Sequence, residues 1–447
     1  MSNCKIIATV GPSSRDPEVL RSLHAAGASI FRINSSHSSP AEVREWVEFI
    51  RTVTPGVSVL VDLQGPKHRL GILQDPIVLE SGSSFVLGVD VPLGFSISSV
   101  GLSIGHRVLI ADGVVECVVE DFVDGFPRCS VVRGGPVSSR KGVNLPDSVF
   151  GSGAVTDRDR RVIDALDGAS VDWFALSFVE SPDDVVLLRS LVPQSVGVMS
   201  KIERPVAVER FDDIALVSDA VLVARGDLGV EMPLEDLPAV QADLLARSRA
   251  LGVPAVCATE MFESMIRASR PTRAEVTDVA NAVSSGFDAV MLSAETASGA
   301  YPKAAVEFMA RVRDRAESNA VPFVPESAAG PSRAVASSAA SLAAALECNA
   351  VVALTASGHT ARMLSAVRPS VPIVAVTPSE LVARRMALLW GVKPLVAPRK
   401  GSVEDSAAVA CELAEASGFV PPNSSVVVCG SRVGPTSGAD VIWVQQL

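Results

Sequence analysis

Val196-Gly197-Val198-Met199-Ser200-Lys201-Ile202-Glu203 and, shortly after it, Ala220-Val221-Leu222-Val223-Ala224-Arg225-Gly226-Asp227 decide the reading of this chain. Each is a short apolar segment containing β-branched residues that runs into charged groups. Segments of this kind read as strands of a parallel sheet covered on both faces. A lysine and two carboxylates at neighbouring strand ends make a site suited to a divalent cation together with a phosphorylated oxyanion. Mg²⁺ prefers one or two carboxylates supplemented by substrate oxygens and water, and Glu203 and Asp227 supply that number. Lysine is scarce here. Lys5, Lys67, Lys141, Lys201, Lys303, Lys393 and Lys400 stand against a large excess of arginine.

Working outward, the same pattern recurs. Apolar segments at 6–10, 28–31, 57–61, 173–176, 254–257 and 289–292 each end in a polar cluster: Gly11-Pro12-Ser13-Ser14, Arg32-Ile33-Asn34-Ser35-Ser36-His37, Asp62-Leu63-Gln64-Gly65-Pro66, Ser177-Phe178, Ala258-Thr259-Glu260 and Ser293-Ala294-Glu295-Thr296. Helical periodicity separates most of them, as at 16–26, 41–52 and 233–251. With the two opening segments this makes eight strands. Eight βα units predict an α/β fold, a (β/α)8 TIM barrel whose active site lies at the C-terminal ends of the strands. Every cluster of interest falls at such an end.

Two regions depart from this rhythm. Between 69 and 142 the pattern becomes short alternating strands with Asp-Gly turns, which predicts a small all-β insertion at the active-site rim, placed to close over a substrate. Its exit, Ser138-Ser139-Arg140-Lys141-Gly142, carries two cations on the lid edge. Residues 321–332, rich in proline, alanine and serine, read as a linker. Beyond it a helix at 333–346 and strands at 350–354, 373–376, 395–397 and 425–429 predict a C-terminal α/β domain. The expected division is barrel 1–70, β lid 71–142, barrel 143–330 and C-terminal regulatory domain 331–447.

Composition limits the function. The 447 residues exceed the roughly 250 of a single barrel. A formal net charge of −11 argues against general nucleic-acid binding. No apolar run approaches the roughly 18 residues that span a bilayer. The first strand begins almost at Met1, which leaves no room for a signal peptide. The seven cysteines are scattered without a Cys-x-x-Cys pair and predict buried free thiols in a reducing, cytoplasmic setting.

The ordered runs Lys5 to Ser14, Arg32 to His37, Gly65-Pro66 with Arg69, Lys141 to Pro146, Lys201 to Glu203, Ala224 to Gly229, Thr259 to Met265, Pro271 to Asn281 and Leu292 to Gly299 resemble those of pyruvate kinases over nearly the whole chain. Pro271-Thr272-Arg273-Ala274-Glu275 and Leu292-Ser293-Ala294-Glu295-Thr296-Ala297 are especially specific. The helical segment that precedes the first strand in many of that family is missing.

The resemblance implies phosphoryl transfer from phosphoenolpyruvate to ADP, giving ATP and, after protonation of the enolate, pyruvate in glycolysis. Phosphoryl transfer asks a protein for positioning and charge stabilisation more than covalent chemistry. By resemblance, Arg32 binds the substrate phosphate, where its bidentate fork suits it. Glu203 and Asp227 hold Mg²⁺ or Mn²⁺. Lys201 stabilises the moving phosphoryl oxygens and the enolate oxygen. Backbone N–H groups near Gly226 and Asp227 receive the substrate carboxylate. Thr259 matches the position linked, through water, to protonation of the enolate carbon. Asn34, His37, Arg69, Arg140 and Lys141 fall to the nucleotide side, since no Walker-type phosphate loop occurs in the chain. A homotetramer is implied.

Many relatives hold potassium through residues matching Asn34, Ser36 and Asp62, with a threonine where this chain has Leu63. Lys67 stands where potassium-requiring relatives carry glutamate, so the chain resembles the potassium-independent branch, and K⁺ is not expected to be required. In the C-terminal domain, Thr355, Ser357, Gly358 and Thr360 gather hydroxyls and N–H groups at a helix start, a ready anion site. They resemble the loop that holds an effector's phosphate in allosteric pyruvate kinases, with Arg432 on a later loop adding charge. A phosphorylated metabolite effector is therefore expected. Two other readings stay open on the residues. One is a Mg²⁺-dependent carbon–carbon lyase on the same barrel, which leaves Arg32 and the basic lid edge unexplained. The other is a non-catalytic metabolite-binding relative, against which the intact Lys201, Glu203, Asp227 and Thr259 argue.

Overall fold

The computed structural model of the chain describes residues 2–150, 153–319, 330–432 and 438–447. Its centre is a closed barrel of eight parallel strands: β1 (Lys5–Val10), β2 (Ala28–Asn34), β3 (Ser58–Asp62), β4 (Trp173–Leu176), β5 (Gly197–Ile202), β6 (Ala220–Ala224), β7 (Ala255–Ala258) and β8 (Ala289–Leu292), with β1 pairing both β2 and β8. These are the eight expected segments. Several run one to three residues further than the apolar pattern, so Lys201 lies inside β5 and Asp62 ends β3. A polar residue can extend a strand when its ladder bonds are made and its side chain finds partners above the core.

Side chains alternate between two cores along each strand. Ile7, Ile30, Leu60, Trp173, Met199, Leu222, Val256 and Met291 fill the barrel interior. Ile6, Phe31, Val59, Phe174, Val198 and Val221 face the surrounding helices. Capping boxes start several of those helices, among them Ser39 with Glu42 at Pro40–Val53 and Thr272 with Glu275 at Arg273–Ser285.

The insertion is an antiparallel sheet in the order Val143–Asn144, Arg107–Ile110, Val115–Val123, Phe126–Arg133, Ser84–Val86, beside a two-stranded ribbon of Ile77–Leu79 and Gly135–Val137. Val143–Asn144 and Gly135–Val137 were not expected. The first lies beyond the anticipated edge at 142 and is too short to show periodicity. The two stems joining insertion and barrel pair with each other: Leu70 N–H donates to Lys141 O at 2.8 Å and Val143 N–H to His68 O at 3.1 Å. Arg204, fully buried, fastens the returning stem by donating to Leu145 O (2.6 Å) and Ser148 O (2.8 Å) while pairing with Glu180 and Glu231.

Beyond the barrel, the helix Pro331–Ala345 leads into a sheet ordered Val392–Val396, Ile373–Thr377, Ala350–Leu354, Ser425–Gly430, Val441–Gln446. The strand expected at 395–397 begins at Val392 instead, because Lys393 and Pro394 interrupt its apolar pattern but not its pairing with Ile373–Thr377. Val441–Gln446 is antiparallel and was not foreseen. Most of the expected linker at 321–332, namely 321–329, lies outside the described residues. This domain sits under the barrel's N-terminal end. Leu388 joins the interior core there, Arg368 forms a buried ion pair with Asp288 at 2.9 Å, and Lys5 Nζ donates to Val392 O at 2.7 Å.

Candidate active site

Five strand ends, β1 to β5, bring a buried polar and ionic network together at the C-terminal mouth of the barrel. Arg32, from β2, donates through Nε to Asp62 Oδ2 at 2.7 Å and through Nη1 to Thr9 Oγ1 at 2.9 Å. Lys201, from β5, contacts Asp62 Oδ1 at 3.3 Å, Glu203 Oε1 at 2.8 Å and Ser177 Oγ at 2.8 Å. Glu203 Oε2 accepts from the Phe178 N–H at 2.7 Å. All these side chains are buried. Asp62 is therefore the hub of the network, wedged between two cations.

Electrostatics follow from that packing. Burial would raise the Asp62 carboxyl, but Lys201 and Arg32 together hold it below the usual carboxylate range. Burial would lower the Lys201 ammonium, yet Asp62 and Glu203 hold it above the ordinary lysine value, so it stays charged. The Glu203 carboxyl is pushed up by burial and further by Asp227, against the pull of Lys201. Two carboxylates close enough to repel, one of them half-exposed at the rim, fit a divalent cation that draws its remaining ligands from substrate and water. Among the described residues no three carboxylate, histidine or cysteine groups cluster as a self-sufficient metal cage.

Gly226 and Asp227 lie in the short helix Arg225–Glu231 directly after β6. The Gly226 N–H is engaged here: it donates to Thr259 Oγ1 at 2.7 Å, while that hydroxyl donates to Ala258 O at 2.5 Å. Thr259 and Glu260 hold φ values of +74° and +54°, conformations that a β-branched residue adopts only when its surroundings enforce them. Arg225 does so, donating to Thr259 O at 2.7 Å while its other end pairs with Asp278.

The remaining expected residues surround this centre. Asn34, Ser36 and His37 form the turn after β2, with Asn34 Oδ1 accepting from the Ser36 N–H at 3.1 Å and His37 exposed. Arg69, Arg140 and Lys141 are exposed on the paired lid stems, Arg69 Nη1 donating to Arg140 O at 3.0 Å. Exposed Lys67 lines a cavity of about 20 Å³ between lid and barrel that Asp227 and Glu231 also line. Leu63 is fully buried against the helices. Ser177, Thr9 and Phe178 were given no role from the sequence, although each lies at a strand end. Phe178 takes φ +55°, which turns its N–H toward Glu203.

In the C-terminal domain Thr355, Ser357 and Thr360 line a cavity of about 340 Å³. The other two residues expected there lie at its edge or beyond it. Gly358 is absent from that cavity's lining, and its N–H donates to Thr355 Oγ1 at 2.9 Å. Arg432 reaches Glu404 at 3.6 Å on the surface, and among the described residues Arg399 is the arginine that lines the cavity. Residues 433–437 of that loop lie outside the described residues.

Residues 1–306 match the family model "Pyruvate kinase, barrel domain", and residues 333–445 match "Pyruvate kinase, alpha/beta domain". The chain belongs to the pyruvate kinase family. It is 40% identical over 455 aligned positions to a pyruvate kinase of Agrobacterium vitis, covering 97% of this chain and 96% of the relative. It is 41% identical over 446 positions to one of Methylorubrum extorquens, covering 95% and 93%. A crystal structure of a pyruvate kinase from Cryptosporidium parvum superposes with a TM-score of 0.91 at 33% identity, covering 100% of this chain and 96% of that one. The barrel, the all-β insertion and the C-terminal α/β domain are those of this family, and the chain is a phosphotransferase acting on phosphoenolpyruvate and ADP. The lyase and non-catalytic readings fall away.

Proposed function

We propose that the Asp62-centred network is the catalytic core of this pyruvate kinase and that its members divide the work as follows. Arg32 takes the substrate phosphate; among the described residues its Nη2 has no hydrogen-bond partner, while Nε and Nη1 are fixed by Asp62 and Thr9. Glu203 and Asp227 hold Mg²⁺ or Mn²⁺, which when bound supplies positive charge next to the transferring phosphoryl group. Lys201 meets the phosphoryl oxygens and then the enolate oxygen. Its three N–H groups are all engaged in the free protein, and the one given to Glu203 turns to the substrate once that carboxylate has another positive partner. The substrate carboxylate replaces Thr259 Oγ1 at the Gly226 N–H, which frees the hydroxyl to orient the water that protonates the enolate carbon.

Arg69, Arg140 and Lys141, with Asn34 and His37 opposite, take the ADP phosphates as the lid (71–142) closes against the barrel (1–70 and 143–330). Lys67 supplies the charge that potassium supplies in other relatives, so K⁺ is not required. The C-terminal domain (331–447) binds a phosphorylated metabolite through Thr355, Ser357 and Thr360, with Arg399 rather than Arg432 as the charged partner. By its family resemblance the enzyme works as a cytoplasmic homotetramer; no helix among the described residues is long and apolar enough to cross a membrane. The observation that carries the catalytic assignment is Lys201 held between Asp62 and Glu203 at the barrel mouth. A coupled assay of ADP-dependent pyruvate formation, with the Lys201→Met protein beside the unaltered enzyme, tests it.

A further inference from the structure

A second cavity, of about 270 Å³, lies on the opposite side of the barrel from the catalytic mouth, between the start of the strands and the C-terminal domain. Its wall includes Trp173, at the beginning of β4, whose indole lies across Gly197 so closely that a Cβ there would sit 2.3 Å from the ring. Trp173 is only 3% exposed, yet its Nε1–H has no hydrogen-bond partner among the described residues. An unpaired buried donor costs on the order of 1–3 kcal/mol and calls for an explanation.

The charges around it are unbalanced as well. Arg385 stands 5.2 Å from the Trp173 ring centre, donates through Nη1 to Ser195 O, and leaves its Nε without a partner. Arg362 is half-buried in the same wall, and its guanidinium makes no hydrogen bond to any of the described residues, its backbone N–H donating to Gly358 O at 2.9 Å. Burial draws the Arg362 guanidinium below the usual arginine range against the pull of Asp219. Among the described residues Asp219 is the single carboxylate lining the cavity, and it is already engaged by Arg189 at 2.7 Å, the Val198 N–H at 2.9 Å and Arg385 at 3.4 Å. Asp172, further off, is claimed by Arg51 and Arg384. Met386 and Leu389 complete the wall with apolar surface, and Gly358, at φ +88°, lets the neighbouring helix start approach Met386.

We infer that this interdomain cavity is a second binding site, for a small organic anion whose carboxylate or phosphate meets Arg362 and Arg385 and whose planar or aliphatic body lies beside Trp173, Met386 and Leu389. A bare anion would satisfy the guanidinium groups but leave the apolar wall uncovered. Ser357 and His359 line both this cavity and the larger one in the C-terminal domain, so only a turn of backbone separates the two.

Phenyl phosphate and benzoate are suitable probes of the two anion types, with inorganic phosphate testing the need for a body. The full-length protein is titrated while tryptophan fluorescence is followed; Trp173 is one of four tryptophans, and none lines the larger cavity. A saturable change with phenyl phosphate or benzoate is expected, at least about tenfold tighter than with inorganic phosphate, as loss of the apolar contact requires. Arg362→Met should weaken it by about tenfold or more, the value of one charge-assisted hydrogen bond. Arg362→Lys, which keeps the charge, should bind between the two, and Arg399→Ala should bind normally. The signal should vanish in Trp173→Phe. Thermal melting of each variant confirms folding. The inference is overturned if neither organic probe saturates by about 10 mM, if the signal survives Trp173→Phe, or if Arg399→Ala abolishes binding while Arg362→Met does not.

Discussion

Lys201 and Glu203 meet at 2.8 Å, although only one residue separates them along the chain, because alternate residues of a strand point to the same side. That contact aims an ammonium and a carboxylate into the barrel mouth, and Asp62 from β3 closes the arrangement from across the sheet. The geometry keeps Lys201 charged while leaving Glu203 within reach of Asp227.

Replacing Lys201 should therefore separate catalysis from binding. In Lys201→Met, turnover is expected to fall by more than about a hundredfold while phosphoenolpyruvate and Mn²⁺ affinities stay within about tenfold, the pattern of an interaction made in the transition state. Steady-state kinetics and direct metal titration measure both. More than about a tenth of the original turnover would defeat the role given to Lys201.

Lys67 provides the second test. Without potassium, at constant ionic strength, the enzyme should retain turnover within about tenfold of the value with it, because a tethered ammonium needs no recruitment. Lys67→Glu should acquire a requirement for K⁺. A strong potassium response in the unaltered enzyme would rule out the tethered-charge role.

The C-terminal cavity predicts regulation. Sugar phosphates or nucleoside monophosphates should shift the phosphoenolpyruvate saturation curve at subsaturating substrate, and both Ser357→Asp and Arg399→Ala should abolish the shift. Arg432→Ala should leave it in place, since that side chain pairs with Glu404. If every metabolite leaves the curve unmoved, the cavity has no effector role.

Lys5 makes stability depend on pH. Burial pulls its ammonium down to about 7, with Lys393 and Arg313 adding to the effect, and its Nζ donates to Val392 O. The unfolded chain keeps its proton to about 10.4. Between these values the unfolded state binds a proton that the folded state has lost, so stability rises with pH, by at most about 1.4 kcal/mol per pH unit from this group. Below about pH 7 the cost of the buried charge is fully present. Urea melts from pH 7 to 10 should show the rise in the unaltered protein and a flatter profile in Lys5→Met. Parallel profiles would remove Lys5 as the cause.

Much of this molecule is determined by local sequence. The eight barrel strands are legible because parallel strands buried on both faces must be continuously apolar, and the polar clusters that end them mark the catalytic rim. Arg32, Lys201, Glu203 and Asp227 stand out for the same reason: charge that abruptly ends an apolar run needs a partner or a ligand. Strands such as Val143–Asn144 and Val441–Gln446 were not legible, since pairing with a distant segment, and not periodicity, creates them. Tertiary structure alone decided that Asp62 lies between Arg32 and Lys201, that Ser177 accepts from Lys201, and that Thr259 holds the Gly226 N–H. It also brought Arg399 to the wall of the C-terminal cavity. A strand end's chemistry can be read from its own residues. Which other strand end completes it depends on barrel closure, and the energies of such contacts depend on burial that only the closed fold creates.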